Sequence, residues 1–240
     1  MRLFDTHCHL DAAAFDADRD AIVADCRALG VEGILVPAVS AASWSRLQEV
    51  TAQYPELHPA LGMHPIYIDE HRDEHLQQLE AAIEARRPLA VGEIGLDYYR
   101  RELDFEKQLR FFKAQIAIAA QAGLPVVIHC RKAHDEVLAA LRRQPGLVGG
   151  TAHAFNGSLQ QAQQYLDLGF KLGFGGTVTF DGSHRIHRLA RELPLEALVL
   201  ETDAPDMPPA AHRGQRNSPQ YLPEILQALA AVRDVDPAEV

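Results

Sequence analysis

His7 and His9 stand two residues apart in Phe4-Asp5-Thr6-His7-Cys8-His9-Leu10, close to the start of the chain. If this stretch is a strand, side chains alternate in direction: Asp5, His7 and His9 face one way, Phe4, Thr6 and Cys8 the other. Two imidazoles on one strand face can hold a metal ion together. Without an ion, each would need its own hydrogen-bond partners to be buried. Further residues of ligating type follow short apolar runs. His64 comes after His58-Pro59-Ala60-Leu61-Gly62, and Glu93 lies in Leu89-Ala90-Val91-Gly92-Glu93-Ile94. His129 ends Pro125-Val126-Val127-Ile128-His129, His153 lies near the end of residues 149–154, and Asp203 follows Leu198-Val199-Leu200-Glu201-Thr202. Any one of these could be a core histidine, a helix cap or an ion-pair partner. Gathered at one place without a cation, they would leave carboxylates and imidazoles poorly compensated.

Imidazole mixed with carboxylate suits a divalent ion such as zinc or manganese, and magnesium with more water in its shell. A tetrahedral ion takes about four ligands. His7, His9, Glu93, His129, His153 and Asp203 are enough for two divalent metal ions if Glu93 bridges them. Such a pair, roughly 3.5–4 Å apart, can clamp the attacking and leaving oxygens of a phosphoryl group, which is hydrolytic chemistry.

These residues meet only if the chain brings its strand ends together. Apolar runs at 3–10, 33–37, 58–62, 89–94, 125–129, 149–154, 171–174 and 198–202 read as strands. Segments 16–29, 43–53, 73–85, 105–121, 133–143, 159–168, 184–192 and 220–232 have helical spacing. Eight strands alternating with eight helices predict an α/β fold, a (β/α)8 TIM barrel, whose site forms at the C-terminal strand ends. No glycine-rich phosphate fingerprint follows the first strand, which removes the main motif of the open doubly wound alternative.

Composition agrees. A chain of 240 residues, 47% of them hydrophobic, can form one barrel domain over residues 1–240. The residues after Asp236-Pro237-Ala238-Glu239 are expected to continue as a helix, so Val240 reads as an early stop. There is no apolar run long enough for a membrane span and no secretory signal at the N-terminus. Cys8, Cys26 and Cys130 are few, odd in number and far apart, which fits a reducing cytoplasm and argues against a disulfide framework. A net charge of -10 argues against a broad grip on long nucleic acid but leaves room for a small contact, such as a strand end. His71, His75, His184 and His187 read as solvated.

The motifs Asp5-Thr6-His7-Cys8-His9, Gly62-Met63-His64-Pro65, Gly92-Glu93-Ile94-Gly95-Leu96-Asp97, His129-Cys130-Arg131, His153-Ala154-Phe155-Asn156-Gly157 and Glu201-Thr202-Asp203-Ala204-Pro205 occur in this order. The set resembles the TatD family of metal-dependent hydrolases in the amidohydrolase superfamily, in particular its YjjV-like branch. The resemblance implies phosphodiester hydrolysis, typically as a deoxyribonuclease working from DNA ends. It further implies that His7, His9, Glu93 and Asp203 hold one metal and that Glu93, His129 and His153 hold the second. By the same resemblance, Asp203 orients or deprotonates water and His64 stands beside the scissile phosphate. Arg213, in a basic loop after the eighth strand, resembles a substrate contact and can grip phosphate through two hydrogen bonds. Tyr98 and Tyr99 could stack on a base, and Asp5 is expected behind the ligands, orienting an imidazole. Asp206 departs from the family pattern and would repel a polyanion.

Partners expected from this reading are nucleic-acid ends or a small phosphodiester, with no membrane and no obligate protein partner, the chain acting as a monomer. Two other readings keep the barrel. One hydrolyses a carboxyl ester or amide, on an aminoacyl-tRNA or a small metabolite; the other is a non-catalytic interaction protein.

Overall fold

In a computed structural model, which describes residues 1–240, the apolar runs pair in parallel and the amphipathic segments cover them. Strand β1 (Leu3–Asp5) leads to helix α1 (Arg19–Ala28), then β2 (Val31–Pro37) to α2 (Trp44–Thr51) and β3 (Leu57–Leu61) to α3 (Asp73–Arg86). Strand β4 (Ala90–Asp97) precedes α4 (Phe105–Ala122), and β5 (Val126–Arg131) precedes α5 (His134–Arg142). The last units are β6 (Gly150–Ala152) with α6 (Leu159–Asp167), β7 (Phe170–Phe174) with α7 (His184–Glu192), and β8 (Leu198–Leu200) with α8 (Leu222–Arg233). The strands lie side by side in chain order, each parallel to the next. This is a (β/α)8 barrel.

Local chemistry sets the long elements. Helix α4 starts where the Asp104 carboxylate accepts the Lys107 N–H at 2.9 Å, and ends at Gly123, whose φ of +63° suits the left-handed cap. Helix α6 opens with a reciprocal cap between Ser158 and Gln161. A continuous core of 51 buried residues runs between strands and helices.

The structure corrects several expectations. Strand β1 stops at Asp5 rather than Leu10, since its regular pairing with β2 ends at Asp5 against Ile34; residues 6–9 keep single backbone bonds to either side. Thr6 N donates to Leu200 O (3.0 Å) and His9 N to Ala204 O (2.8 Å), while Cys8 N donates to Leu35 O (3.0 Å). Asp203 N donates back to His7 O at 2.8 Å, and these bonds join β8 to β1 and close the ring. Strand β4 runs on to Asp97, past the expected end at Ile94. His71 is buried rather than solvated, with Nε2 3.1 Å from His64 O. His75 and His187 are half-buried, His187 through a 2.8 Å bond to Val178 O, and only His184 is exposed. Residues 236–239 form one turn, as the start of a helix would, with Glu239 N donating to Asp236 O at 2.9 Å and Ala238 N to the Asp236 carboxylate at 2.8 Å. All three cysteines are buried and unpaired, and no helix is long and apolar enough to cross a membrane.

Candidate metal centre

A cavity of about 540 Å³ opens at the C-terminal mouth of the barrel, and His9, His64, Glu93, His129, His153 and Asp203 line it. His7 lies behind them, fully buried. Glu93 is the hub. Its Oε2 is 3.1 Å from His7 Nε2 and 3.6 Å from His9 Nε2; its Oε1 is 3.0 Å from His129 Nδ1 and 3.1 Å from His64 Nε2. Asp203 closes the set, with Oδ1 3.8 Å from His7 Nε2 and Oδ2 3.7 Å from His153 Nε2. Its backbone has a φ of +59°, a left-handed conformation that aspartate tolerates better than most residues. The bond from its N–H to His7 O holds that turn.

Hydrogen bonds on the far side of each ring decide which nitrogens are free to bind a cation. His9 Nδ1 donates to Pro37 O at 3.1 Å, so Nε2 presents a lone pair toward Glu93 and toward His7 Nε2, 3.3 Å away. His129 Nε2 bonds to Asp97 Oδ2 at 3.0 Å, which turns Nδ1 to Glu93. His153 Nδ1 faces Glu201 Oε1 at 3.0 Å, leaving Nε2 toward Asp203. His64 is the exception. Its Nδ1 accepts the Ile66 N–H at 3.0 Å, so in the neutral ring Nε2 carries the proton and donates to Glu93. His64 is therefore a proton donor at the rim, although its ring atoms fall close enough to Glu93 and His129 to count as a ligand group.

Burial and mutual charge set the protonation states. Burial and the stacked His153 ring, 3.7 Å away, keep His7 well below the usual histidine range. Burial lowers His64 to about 4, so it is neutral at pH 7. Burial alone would raise Glu93, but the attraction of His64 and His7 and the bond from His129 outweigh it and hold the carboxyl well below the usual range. Burial lifts Asp203 to about 6 against the pull of His153 and His9. Burial would lower His153, yet Glu201 and Asp203 push it up to about 10. Imidazolium protons thus balance the carboxylates, and a divalent cation would exchange for them. His7 Nδ1, His153 Nδ1 and Glu201 Oε2 are buried without a hydrogen bond, His153 Nδ1 meeting Glu201 Oε1 as a charge contact only. The converging lone pairs, the carboxylates and these orphaned atoms fit a divalent metal ion.

Support comes from residues that sequence reasoning left without a role. Asp97 and Glu201, both fully buried, orient His129 and His153. The signal was phase: Asp97 is four residues from Glu93 and Glu201 two from Asp203, on the same strand faces. Two glutamines of α4 clamp the backbone beside the site. Gln108 accepts from Asp97 N at 2.8 Å and donates to Asp97 O at 3.2 Å; Gln115 does the same to Met63 at 2.8 and 3.2 Å. Nothing in the local sequence announces these contacts.

Other expected site residues sit elsewhere. Asp5 orients no imidazole: its carboxylate accepts from His7 N (3.1 Å), Thr202 N (3.0 Å) and Thr202 Oγ1 (2.5 Å), tying β1 to β8. Tyr98 stacks on Phe105, ring centroids 4.4 Å apart, and does not line the cavity. Arg213 is exposed, 6.0 Å from the Phe180 ring and outside the cavity wall. His153 lies beside His7 and Asp203, its ring stacked on His7 at 3.7 Å. Tyr67, Arg46, Asp11 and Asp206 complete the wall.

Comparison with known proteins agrees with this geometry. An uncharacterized metal-dependent hydrolase, YjjV of Escherichia coli K12, is 40% identical over 97% of this chain and 90% of its own length. The crystal structure of YjjV, a TatD homolog, superposes with a TM-score of 0.94 at 38% identity, covering 99% of this chain and 93% of that one. A protein of Erwinia billingiae named 3'-5' ssDNA/RNA exonuclease TatD is 32% identical over 98% of this chain and 93% of its own length. The family described as TatD related DNase matches residues 4–240, and the chain belongs to this family of metal-dependent hydrolases.

Proposed function

We propose that this protein is a phosphodiesterase acting on nucleic-acid ends, a deoxyribonuclease, in which His7, His9, Glu93, His129, His153 and Asp203 would hold two divalent ions. The observation that carries the reading is the placement of both Glu93 oxygens: Oε2 faces His7 and His9, while Oε1 faces His129. The name of the Erwinia relative supports the choice of substrate. Zinc, manganese and magnesium all suit the donor set.

Bound ions would supply Lewis acidity and lower the pKa of a coordinated water toward neutrality. The chain's own residues do the rest. His7 and His9 hold the Oε2 side of Glu93, with Asp203 Oδ1 3.8 and 3.9 Å from their Nε2 atoms. Asp203, whose carboxylate faces His7, His9 and His153 at the cavity wall, is placed to take the proton of the attacking water. His64 Nε2–H stands at the cavity wall and donates to a non-bridging phosphate oxygen when substrate displaces its bond to Glu93.

A second reading, hydrolysis of a carboxyl ester or amide, draws on Asp11 and Asp206 in the same wall, since both repel a polyanion. A substrate panel decides between them. Single-stranded DNA, RNA, chromogenic phosphodiesters, carboxyl esters and amides are offered to the protein loaded with each ion in turn, beside Glu93→Ala. Metal-dependent nucleotide release, lost in the variant, is expected. Turnover of esters or amides with DNA left intact would overturn the reading.

A further inference from the structure

A second concavity, about 620 Å³, lies on the same face as the metal centre, between the β5–α5 and β6–α6 connections and helix α7. Its wall carries Lys132, Arg185 and Arg188 with Asn156 and Gln161, and no acidic side chain. On a chain of net charge -10 that local sign is informative. The metal cavity is lined in the opposite sense, by Asp11, Glu93, Asp203 and Asp206 against Arg46 alone. Arg188 is partly neutralised by Glu192, 2.7 Å away, and Arg185 donates to Asn156 O at 3.1 Å. Lys132 makes no ion pair in the structure and is exposed.

The groove is continuous with an aromatic platform. Exposed Tyr99 lies with its ring 3.7 Å from the Arg131 guanidinium and 5.2 Å from Lys132 Nζ. Lys132 is thus on the platform and on the groove wall at once. Lys132 is three residues beyond His129, and Asn156 three beyond His153, which puts the groove within about 11 Å of the candidate ligands along the chain. Cationic walls beside an aromatic face are what a single strand needs: phosphates meet the cations, and a base stacks on the ring.

We propose that this track, Tyr99–Arg131–Lys132 leading into the Arg185–Arg188 groove, holds the sugar-phosphate backbone of a single-stranded polynucleotide whose end occupies the metal centre. The proposal rests on the phosphodiesterase reading for the end that is cut, but its binding test does not.

Binding is measured by fluorescence anisotropy in chelator, with labelled oligothymidylate and oligouridylate, so that no cleavage occurs. The wild type is compared with Lys132→Glu, Arg185→Glu, Tyr99→Ala and the conservative Lys132→Arg. Lys132→Glu is expected to weaken binding at least about 10-fold, with the slope of log K against log salt shallower by about 0.7 for the lost phosphate contact. Tyr99→Ala is expected to cost about 5-fold or more, and Lys132→Arg to bind as the wild type does. Loss in both arms assigns the groove to either nucleic acid; loss in one arm assigns it to that one. In metal-loaded enzyme, kcat/KM for the oligonucleotide should fall with Lys132→Glu, while a small chromogenic diester, too short to reach the groove, is turned over within about twofold of the wild-type rate. Unchanged anisotropy in every variant overturns the proposal. Equal loss on the small diester also overturns it, because the effect would then lie at the metal centre. Variant-sensitive binding without any diester turnover sustains the groove and removes the phosphodiesterase reading.

Discussion

His129 is pinned between two carboxylates: Asp97 Oδ2 is 3.0 Å from its Nε2, and Glu93 Oε1 is 3.0 Å from its Nδ1. Asp97 therefore fixes both the plane and the tautomer with which the ring meets a metal ion. Asp97→Asn is expected to lower metal affinity or turnover by about 10–100-fold while the fold persists. Titration against a chromogenic chelator measures the affinity, and a melting curve checks the fold. Wild-type affinity in the variant would exclude this role.

Metal binding should also be visible as stability. An ion that binds only the folded chain adds about 2.7 kcal/mol at a concentration one hundred times its Kd. Chelator-treated protein should melt at a lower temperature than protein in excess zinc or manganese. In Glu93→Ala the difference is expected to shrink to near zero, since Glu93 faces ligand nitrogens on both sides.

The clamps of α4 are a separate source of order. Replacing Gln108 with Ala leaves the Asp97 N–H and carbonyl buried without partners. Each such group costs about 1–3 kcal/mol, so urea denaturation should show a loss of that order or twice it. Gln108→Glu sets a buried carboxyl against the Asp97 carbonyl and is expected to cost at least as much as the alanine at neutral pH. Equal stability of all three would mean that water replaces the clamp.

Gly173 leaves room for Glu201. A Cβ at this position would stand 2.1 Å from Glu201 Oε2. Glu201 cannot swing away cheaply, being fully buried and accepting the Ala154 N–H at 2.6 Å. Gly173→Ala is expected to destabilise by about 1–3 kcal/mol and to weaken metal binding as His153 loses its partner. Metal affinity equal to that of the wild type would show that Glu201 does not position His153.

His71 predicts a pH effect. Burial lowers it from 6.5 to about 4, outweighing the bond from Nε2 to His64 O, which favours the charged ring; Nδ1 is buried without a partner. The unfolded chain binds a proton near pH 6.5 that the folded chain refuses until about pH 4. The stability contribution is therefore present in full above pH 6.5 and is lost as pH falls from 6.5 to about 4. The loss is on the order of 3 kcal/mol at most. Denaturation in chelator at pH 7.5 and pH 5 measures it. In His71→Gln, which keeps a donor for the His64 carbonyl, that part of the difference should disappear.

Much of the barrel was legible in the order of residues. Strands buried on both faces read as apolar runs, helices beside them as amphipathic segments, and parallel connection follows from their alternation. The ends of β1 and β4 were not legible. They depend on which neighbour takes each backbone N–H: Thr6 and Cys8 turn to opposite sides, and Asp97 is claimed by Gln108. His71 read as a surface residue because a charged segment surrounds it. Only the fold brings the His64 carbonyl over its ring.

The candidate ligand types were legible in the sequence alone: His7, His9, His153 and Asp203 follow strands, Glu93 and His129 lie within β4 and β5, and the C-terminal halves of the strands meet at one rim of a barrel. Tertiary structure alone decided what each ring nitrogen does. Pro37 O accepts the Nδ1–H of His9, Asp97 bonds the far edge of His129, and the Ile66 N–H makes His64 Nε2 a donor. It also moved Asp5 to the β1–β8 seam and placed Tyr99, not Tyr98, beside Arg131. The reason is physical. A residue's type fixes which atoms it offers, but a tautomer, a pKa and a direction depend on partners that are distant in the chain and adjacent only once it has folded.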